Sequence, residues 1–124
     1  MQHRVNVDHE AKAIEVSGTG VGSTADTLAL IAEHLAAFRD CPGYDFLFDA
    51  SSLSLGSSPA DVMKICGALF EEGVLSFRRF AIVVPAERAD FARMLAALVQ
   101  PFGVTANVFG DRQDALTWLS SSRK

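Results

Sequence analysis

The strongest constraint on the fold of this chain is a continuous apolar segment at residues 80–84, with the sequence FAIVV, which Pro85 terminates. A strand with one solvent-exposed face alternates apolar and polar side chains, whereas a strand covered on both faces does not alternate. The segment therefore predicts a central strand of a largely parallel sheet, with helices packed against it.

The remaining strand signals give the element order. Residues 4–8 and 12–16 alternate polar and apolar side chains, which predicts two strands of an antiparallel hairpin. Strand-like segments at residues 44–48 and 105–109 are separated from residues 80–84 by amphipathic helical patterns. Strands joined through single helices are parallel neighbours. We therefore predict an α/β fold with a five-stranded mixed sheet, an antiparallel N-terminal hairpin and four helices, in the order ββαβαβαβα.

Capping and termination signals bound the four predicted helices. Ser23 or Thr24 is a suitable N-cap for the first helix, and Asp26 lies in its first turn, where the helix dipole favours a carboxylate. The sequence DCPG at residues 40–43 ends this helix, because proline disfavours helical geometry in the preceding residue. The other three helices begin at Pro59, at Glu87 and after Asp111.

Three glycines before the first helix, Gly18, Gly20 and Gly22, suggest a dinucleotide-binding turn, and their spacing permits one. However, the preceding strand is predicted to be the second arm of a hairpin. The acidic residue at the appropriate distance, Asp40, ends a helix and not a strand. A flexible connection between hairpin and helix is the favoured interpretation, and no cofactor is expected.

Composition and charge argue against several classes of function. The chain has 124 residues, enough for a single domain over residues 1–124, and a formal net charge of −4. Nucleic-acid binding needs a basic face, so no nucleic-acid partner is expected. No segment approaches the roughly 20 apolar residues of a membrane span, and the N-terminus has no apolar signal core. We predict a cytoplasmic protein in which Cys41 and Cys66 act as small hydrophobic residues.

Charged residues around the segment at residues 80–84 are predicted to form a solvated surface. Arg78 and Arg79 precede the segment, and Asp90 and Arg93 follow it. Weak surface ion pairs are the expected interactions of such residues.

The candidate functional site is the serine-rich segment that follows residues 44–48. We predict that this strand ends at Asp49 and opens into a loop over residues 51–58, before the helix at Pro59. Ligands of α/β proteins collect beyond the carboxyl ends of the strands, so this long polar loop is the expected site. The candidate residues are Asp49, Ser51, Ser52, Ser54, Ser57 and Ser58.

Ser57 and Ser58 are the candidates for regulation by phosphorylation. Either serine can cap the helix that begins at Pro59, and capping alone is the simpler interpretation. The alternative is a phosphoserine, because a phosphate on either side chain would lie against the positive end of that helix and its free amides.

Several motifs resemble a known family. They are RFAIVV at residues 79–84, FARM at residues 91–94, VFGD at residues 108–111 and ALTWL at residues 115–119. With the element order and the FLFD sequence that ends at Asp49, they resemble the STAS family (SpoIIAA-like, anti-sigma-factor antagonist-like) and its group of small bacterial STAS-like proteins. The resemblance implies a SpoIIAA-like fold and a non-enzymatic regulatory module whose protein partner is a kinase or a regulatory factor.

The resemblance also implies a modification site. In anti-sigma-factor antagonists, the aspartate that ends the strand is followed by an Asp-Ser pair whose serine is phosphorylated. The strand-ending aspartate falls on Asp49 here, and the phosphorylatable serine falls on Ser58 or on Ser57. The aspartate of the pair falls on Ser57, so this chain departs from the pattern that a kinase would read.

The alternative function is binding of a lipid-like apolar molecule, because STAS-like domains are distantly similar to the lipid-binding CRAL-TRIO domains. The pocket would lie between the second and third helices and the sheet. Its predicted lining residues are Phe70, Phe77, Phe91 and Met94. Phe77 and Phe102 also stand at the ends of elements, where a large apolar side chain either stays exposed and marks an interface or forms a lid on the core. Self-association through an exposed helix face, giving a homodimer, is a third hypothesis.

Catalytic and metal sites are not predicted. His3, His9 and His34 lie on separate elements and lack the i, i+4 partner that marks a helical metal site, so all three are predicted to be surface residues. No histidine is expected near Ser58, which argues against a nucleophilic triad.

Overall fold

The computed structural model of the protein describes residues 2–55, 59–71 and 77–121. Over these ranges the chain forms one five-stranded sheet with the strand order β1-β2-β3-β4-β5. The strands are β1 (Gln2–Asp8), β2 (Ala13–Gly22), β3 (Asp45–Leu55), β4 (Arg79–Val83) and β5 (Thr105–Phe109). β1 is antiparallel to β2, and each later pair of neighbours is parallel. The predicted mixed sheet is confirmed.

The described ranges contain five α-helices, one more than predicted. They are α1 (Thr24–Glu33), α2 (Leu35–Arg39), α3 (Pro59–Glu71), α4 (Ala89–Val99) and α5 (Arg112–Ser120). The additional helix arises because the first predicted helix breaks at His34, whose φ of −109° and ψ of 17° depart from helical values. The chain then resumes as α2, in which Phe38 is buried in the core.

Side-chain caps start two helices where the sequence predicts them. The Ser23 hydroxyl accepts the Asp26 amide at 3.1 Å, and the Asp26 carboxylate accepts the Ser23 amide at 3.0 Å, which is a reciprocal capping box. At the start of α5, the Asp111 carboxylate accepts the amide of Gln113 at 2.6 Å. A 3-10 turn, Ala86–Arg88, precedes α4, so this helix begins two residues later than predicted.

β4 is buried on both faces, as its unbroken apolar sequence predicts. The first face of the sheet packs against α1, α2, α3 and α4, and its core includes Ile14, Val16, Leu30, Phe38, Phe46, Ile65, Phe80, Ile82, Leu95 and Val99. The second face packs against α5, and its smaller core contains Leu47, Ala81, Val83, Ala115 and Leu119. Successive residues of β4 thus enter two separate cores.

Four phenylalanine rings occupy the centre of the larger core. The ring centroid of Phe46 lies 5.5 Å from that of Phe38, 4.6 Å from that of Phe77 and 5.1 Å from that of Phe80. Of the two alternatives for Phe77, an exposed interface residue or a lid on the core, the structure shows the lid. Its ring packs onto Phe46 immediately before β4 begins, and only 4% of the residue is exposed.

β3 is longer than predicted and absorbs most of the expected loop. It continues to Leu55 because β2 continues to Gly22 and pairs with it, with Thr19 opposite Ser52. The segment predicted as a loop over residues 51–58 is therefore strand as far as residue 55. Serine and glycine are poor strand formers, so the pairing of two distant segments overrides their local preference.

Gly18 lies inside β2 and serves packing within the sheet. A Cβ at this position would approach Cδ2 of Leu53 to 3.1 Å, which is closer than ordinary van der Waals contact. Glycine permits this close approach. Residues 18–22 thus form part of a strand, which corrects the prediction of a flexible connection and places these glycines outside the strand-to-helix turn of a dinucleotide site.

A β-bulge interrupts the pairing of β2 and β3. Ser17 lies opposite Asp49 and Thr19 lies opposite Ser52, so β3 advances three residues where β2 advances two. The extra residue in β3 therefore lies between Asp49 and Ser52. The bulge therefore lies within the segment that the sequence identifies as the candidate site.

Candidate functional site

The Asp49 side chain lies at the β-bulge of β3. Its Oδ1 atom accepts the Ser51 backbone N–H at 3.0 Å and the Ser51 hydroxyl at 2.6 Å. These bonds satisfy an amide where the ladder is disrupted and hold the carboxylate against its own strand. Bulges commonly lie beside functional sites, where they re-aim a side chain, and Asp49 lies at such a bulge.

Arg112, the first residue of α5, connects the second face of β2 with α5. Its guanidinium donates to both carboxylate oxygens of Glu15, at 2.6 Å and 2.8 Å. The hydrogen bond to Glu15 and the charge of Glu15 raise the pKa of Arg112, and the negative charge of Asp49 adds to this rise. The positive charge of the guanidinium is therefore stabilised mainly by the Glu15 carboxylate.

An open polar depression lies on this second face, beside α5. Its volume is about 420 Å³, and it is lined by Arg4, Val5, Asn6, Glu15, Ser17 and Arg112. α5 packs on the apolar residues of β3 and β4, so the polar side chains of β1 and β2 on this face remain accessible. The lining carries both signs of charge, which suits polar contacts and not an apolar ligand.

The structure places the predicted serines in two groups. Ser51 and Ser52 are exposed on β3, and Ser54 lies farther along the same strand. Ser57 and Ser58, the candidates for phosphorylation, lie outside the described residues. Their regulatory role stays a prediction.

The four residues predicted to line an apolar pocket have different environments. Phe77 is buried in the larger core, whereas Phe91 and Met94 are partly buried against its outer side. Phe70, which the helical pattern places on the inner face of its helix, is 56% exposed, so that placement is wrong. The four side chains do not form a common pocket in the described structure.

A small apolar cavity lies elsewhere, between α1, α3 and the sheet. Its volume is about 40 Å³, and its lining includes Val16, Leu30, Phe38, Leu53, Leu69 and Phe77. Pockets that bury drug-sized ligands have volumes of roughly 300 to 1,000 Å³. The cavity thus has room for a few water molecules at most.

The outer side of α3 carries large apolar side chains that face solvent. Met63 is 60% exposed, and Phe70 lies two turns farther along the same side of the helix. The Phe70 ring stacks on Phe102, with ring centroids 4.6 Å apart, and Phe102 is 43% exposed. Gly67 lies between Met63 and Phe70, and a Cβ added there would meet no atom within 4 Å. We refer to Met63, Gly67, Phe70 and Phe102 as the α3 apolar strip.

The two arginines before β4 have structural roles and are not free surface charges, which corrects the sequence interpretation. Arg78 donates to both carboxylate oxygens of Asp45 at 2.9 Å and 3.0 Å, and Asp45 is only 3% exposed. Arg78 also donates to the carbonyl of Leu119 at 2.7 Å. Arg79 stacks over the Trp118 ring at 4.7 Å. Both arginines therefore fasten the C-terminal end of α5 to the sheet.

The two cysteines are buried and free, in keeping with the role predicted for them. Burial raises the pKa of both thiols, and the charge of Asp40 raises that of Cys41 further. The Cys66 thiol donates to the carbonyl of Leu98 at 3.6 Å. Protonated, buried thiols of this kind are inert packing groups at neutral pH.

Two of the three histidines meet in space, although they lie on separate elements. The Nε2 atoms of His3 and His34 are 3.1 Å apart, and Glu33 lies beside both rings. His9 is separate, and its Nδ1 lies 2.8 Å from the Tyr44 hydroxyl. The sequence prediction of surface histidines does not include this contact between His3 and His34, whose side chains are both partly buried.

Two solved structures share the fold over nearly the whole chain. An uncharacterised protein with a SpoIIAA-like fold from Shewanella loihica superposes with a TM-score of 0.62 at 20% identity, covering 94% of this chain and 93% of that one. An anti-sigma factor antagonist from Mycobacterium paratuberculosis superposes with a TM-score of 0.61 at 23% identity, covering 95% and 94%. No family model and no curated protein matches the sequence.

The chain therefore has the SpoIIAA-like, or STAS, fold, which confirms the fold that the sequence resemblance implies. Fold alone does not define activity, which depends on the surface residues of this chain. None of the helices in the described ranges combines the length and the apolar character that crossing a membrane requires.

Proposed function

We propose that the protein is a non-enzymatic regulatory module of the STAS type, formed by a single domain over residues 1–124, that binds a protein partner through the α3 apolar strip. The shared fold with an anti-sigma factor antagonist supports the regulatory class. The observation that carries the proposal is the strip itself, in which Met63, Phe70 and Phe102 are all exposed. Large apolar side chains exposed on one side of a helix mark interaction sites in soluble proteins.

The chemistry of the strip fits a protein partner. Aromatic residues and methionine are enriched at protein interfaces, and methionine adapts its shape to the surface that it meets. Stacking on Phe102 already orders the Phe70 ring, so less side-chain entropy is lost on binding. Lys64 and Glu71 are exposed on the same helix and provide polar residues at the rim.

We further propose that phosphorylation of Ser58 or Ser57 controls this contact. Both serines directly precede α3 in the sequence, and α3 carries the strip. A phosphate would add roughly 1.5 to 2 negative charges near the start of the helix that meets the partner. A partner that docks on α3 would respond to this charge with a changed affinity.

The test of the interface compares variants in partner capture from the native host, followed by measurement of the Kd for the captured protein. Phe70→Asp and Met63→Asp place a charge in the strip, and Thr117→Asp places the same charge on exposed α5 at the opposite face of the sheet. We expect at least about tenfold weaker binding for both strip variants and unchanged binding for Thr117→Asp. Equal affinities for the strip variants and the wild type would rule out the strip as the interface.

Light scattering of the same variants distinguishes a foreign partner from a second copy of the chain. If the strip mediates a homodimer, the wild type has twice the monomer mass and Phe70→Asp has the monomer mass. Monomers in both samples leave the strip free for a different protein.

The phosphorylation proposal has its own test. Intact-mass analysis of protein purified from the native host under several growth conditions should detect a phosphorylated species that Ser57→Ala or Ser58→Ala abolishes. Ser58→Asp should change the Kd of the captured partner, whereas Thr117→Asp, on α5, provides a control for added charge. Absence of the modified species under every condition would contradict regulation at these serines.

The alternative function, binding of a lipid-like molecule, would require a much larger space than the described cavity. A ligand pocket of about 300 Å³ or more exceeds the 40 Å³ between α1, α3 and the sheet severalfold. Native mass spectrometry of gently purified protein tests this alternative, because a bound lipid would add its mass to that of the chain.

A further inference from the structure

His3, Glu33 and His34 form a cluster at the edge of the sheet, on elements other than those of the α3 apolar strip. His3 lies on β1, Glu33 is the last residue of α1, and His34 occupies the break before α2. The two Nε2 atoms are 3.1 Å apart. The Glu33 carboxylate oxygens lie 3.6 Å from Nε2 of His3 and 3.9 Å from Nε2 of His34.

The helix break is what allows two consecutive residues to approach one point. In a regular helix, neighbouring residues project about 100° apart and do not face each other. At His34 the backbone departs from helical geometry, and the imidazole and the Glu33 carboxylate both approach His3. The strand contributes the third group because His3 lies on the face of β1 that Val5 and Val7 direct towards the helices.

The distances match those between ligands of one small metal ion. Zinc binds imidazole nitrogen at roughly 2.0 to 2.1 Å, so two tetrahedral ligand atoms lie about 3.3 Å apart. The separation of the His3 and His34 nitrogens is 3.1 Å, and the carboxylate separations are 3.6 Å and 3.9 Å. The Glu33 side chain is largely exposed, so a small rotation would bring its oxygen to the ion.

The donor set identifies the class of ion. Two imidazoles and one carboxylate suit zinc and neighbouring divalent transition ions, whereas calcium and magnesium prefer sites made of oxygen. Both imidazoles are partly exposed, so water has access to the remaining coordination positions. The competing state is a direct N–H···N hydrogen bond between the rings, which metal binding would replace.

We propose that His3, Glu33 and His34 bind a divalent transition-metal ion of the zinc class. The ion joins the edge strand β1 to the junction of α1 and α2. Binding therefore stabilises the N-terminal hairpin against separation from the helices. The site is independent of the proposed partner interface, because it shares no residue with it.

The test is a calorimetric titration of the chain with zinc chloride in a buffer that does not chelate zinc. We expect one zinc ion per wild-type chain, and a Kd that rises at least about tenfold in His3→Gln, His34→Gln and Glu33→Gln. His9→Gln is the matched control, because His9 contacts Tyr44 and lies outside the cluster. Its Kd should equal that of the wild type.

Thermal unfolding separates loss of a ligand from loss of the fold. With zinc at about 100 times its Kd, the Tm of the wild type and of His9→Gln should rise by several degrees. The three cluster variants should keep their circular dichroism and their zinc-free Tm and show no rise. Because Glu33 is largely exposed, Glu33→Gln keeps the test informative even if a histidine variant folds poorly. Zinc binding that is absent in the wild type, or equal in His34→Gln and His9→Gln, would overturn the proposal.

Discussion

The two faces of the sheet are stabilised by different kinds of contact. The first face has a broad apolar core, in which Phe46 lies next to three other aromatic rings. The second face has a narrow core around Ala81 and Ala115, and arginine side chains fasten α5 to it. Because the first face buries a large apolar area, its core does not require the side chain of Phe70, which stays exposed on the outer side of α3. A short helix over a narrow core depends on charged hydrogen bonds.

The largest expected effect is on the first face. Phe46→Ala should lower the free energy of unfolding by about 3 to 5 kcal/mol, because it removes the ring that Phe38, Phe77 and Phe80 surround. Leu47→Ala, the next residue of β3, removes a buried side chain from the second face and should cost about 2 to 3 kcal/mol. Urea unfolding measures both values. A larger loss for Leu47→Ala would reverse the ranking of the two cores.

A smaller effect is expected where α5 meets β4. Arg78→Leu leaves the buried Asp45 carboxylate without this arginine and should cost about 2 to 3 kcal/mol, somewhat below the range for fully buried pairs because Arg78 is partly exposed. Arg93→Leu is the control, because the ion pair described for Arg93 is with fully exposed Asp90, and its loss should change stability by about 0.5 kcal/mol or less. Similar losses in the two variants would show that Arg78 is not a specific fastening of α5.

The smallest expected effect concerns the other end of α5. Arg112→Gln removes the partly exposed ion pair with Glu15 and should lower the free energy of unfolding by about 0.5 to 1 kcal/mol in dilute salt. The difference between variant and wild type should shrink as sodium chloride is added, because salt screens accessible charges. A loss that salt does not change would indicate that the Arg112 side chain acts through packing instead of charge.

Local patterns explain which parts of the fold the sequence predicts. The bounds predicted for Thr105–Phe109 are those of β5, and the caps at Ser23 and Asp111 start their helices as expected. Each signal is complete within a few residues. The extension of β3 to Leu55 is different, because its serines become strand only through pairing with glycines of β2. No local pattern contains that information.

The candidate sites also divide into those that a local sequence pattern indicates and those that only the fold brings together. A helix turns about 100° per residue, which places Met63 and Phe70 about 20° apart and each roughly 90° to 110° from the centre of the inner face of α3. The helical spacing of these two residues thus indicates the α3 apolar strip from the sequence alone. The pairing of Arg78 with Asp45 and the meeting of His3 with His34 join residues more than thirty positions apart. Only the folded chain shows them.

Because of the bulge in β3, the turn at Asp49 can change without a change in the sheet around it. Phe46 and Ala50 point into the larger core at even positions, and after the bulge Leu53 does so at an odd position. Deletion of Ser51 would restore strict alternation without moving any of these side chains to the other face. The strand can therefore gain or lose the Asp49 turn by a one-residue change in length, with no compensating substitution in the core. In this chain, the Asp49 turn and its scaffold can vary independently.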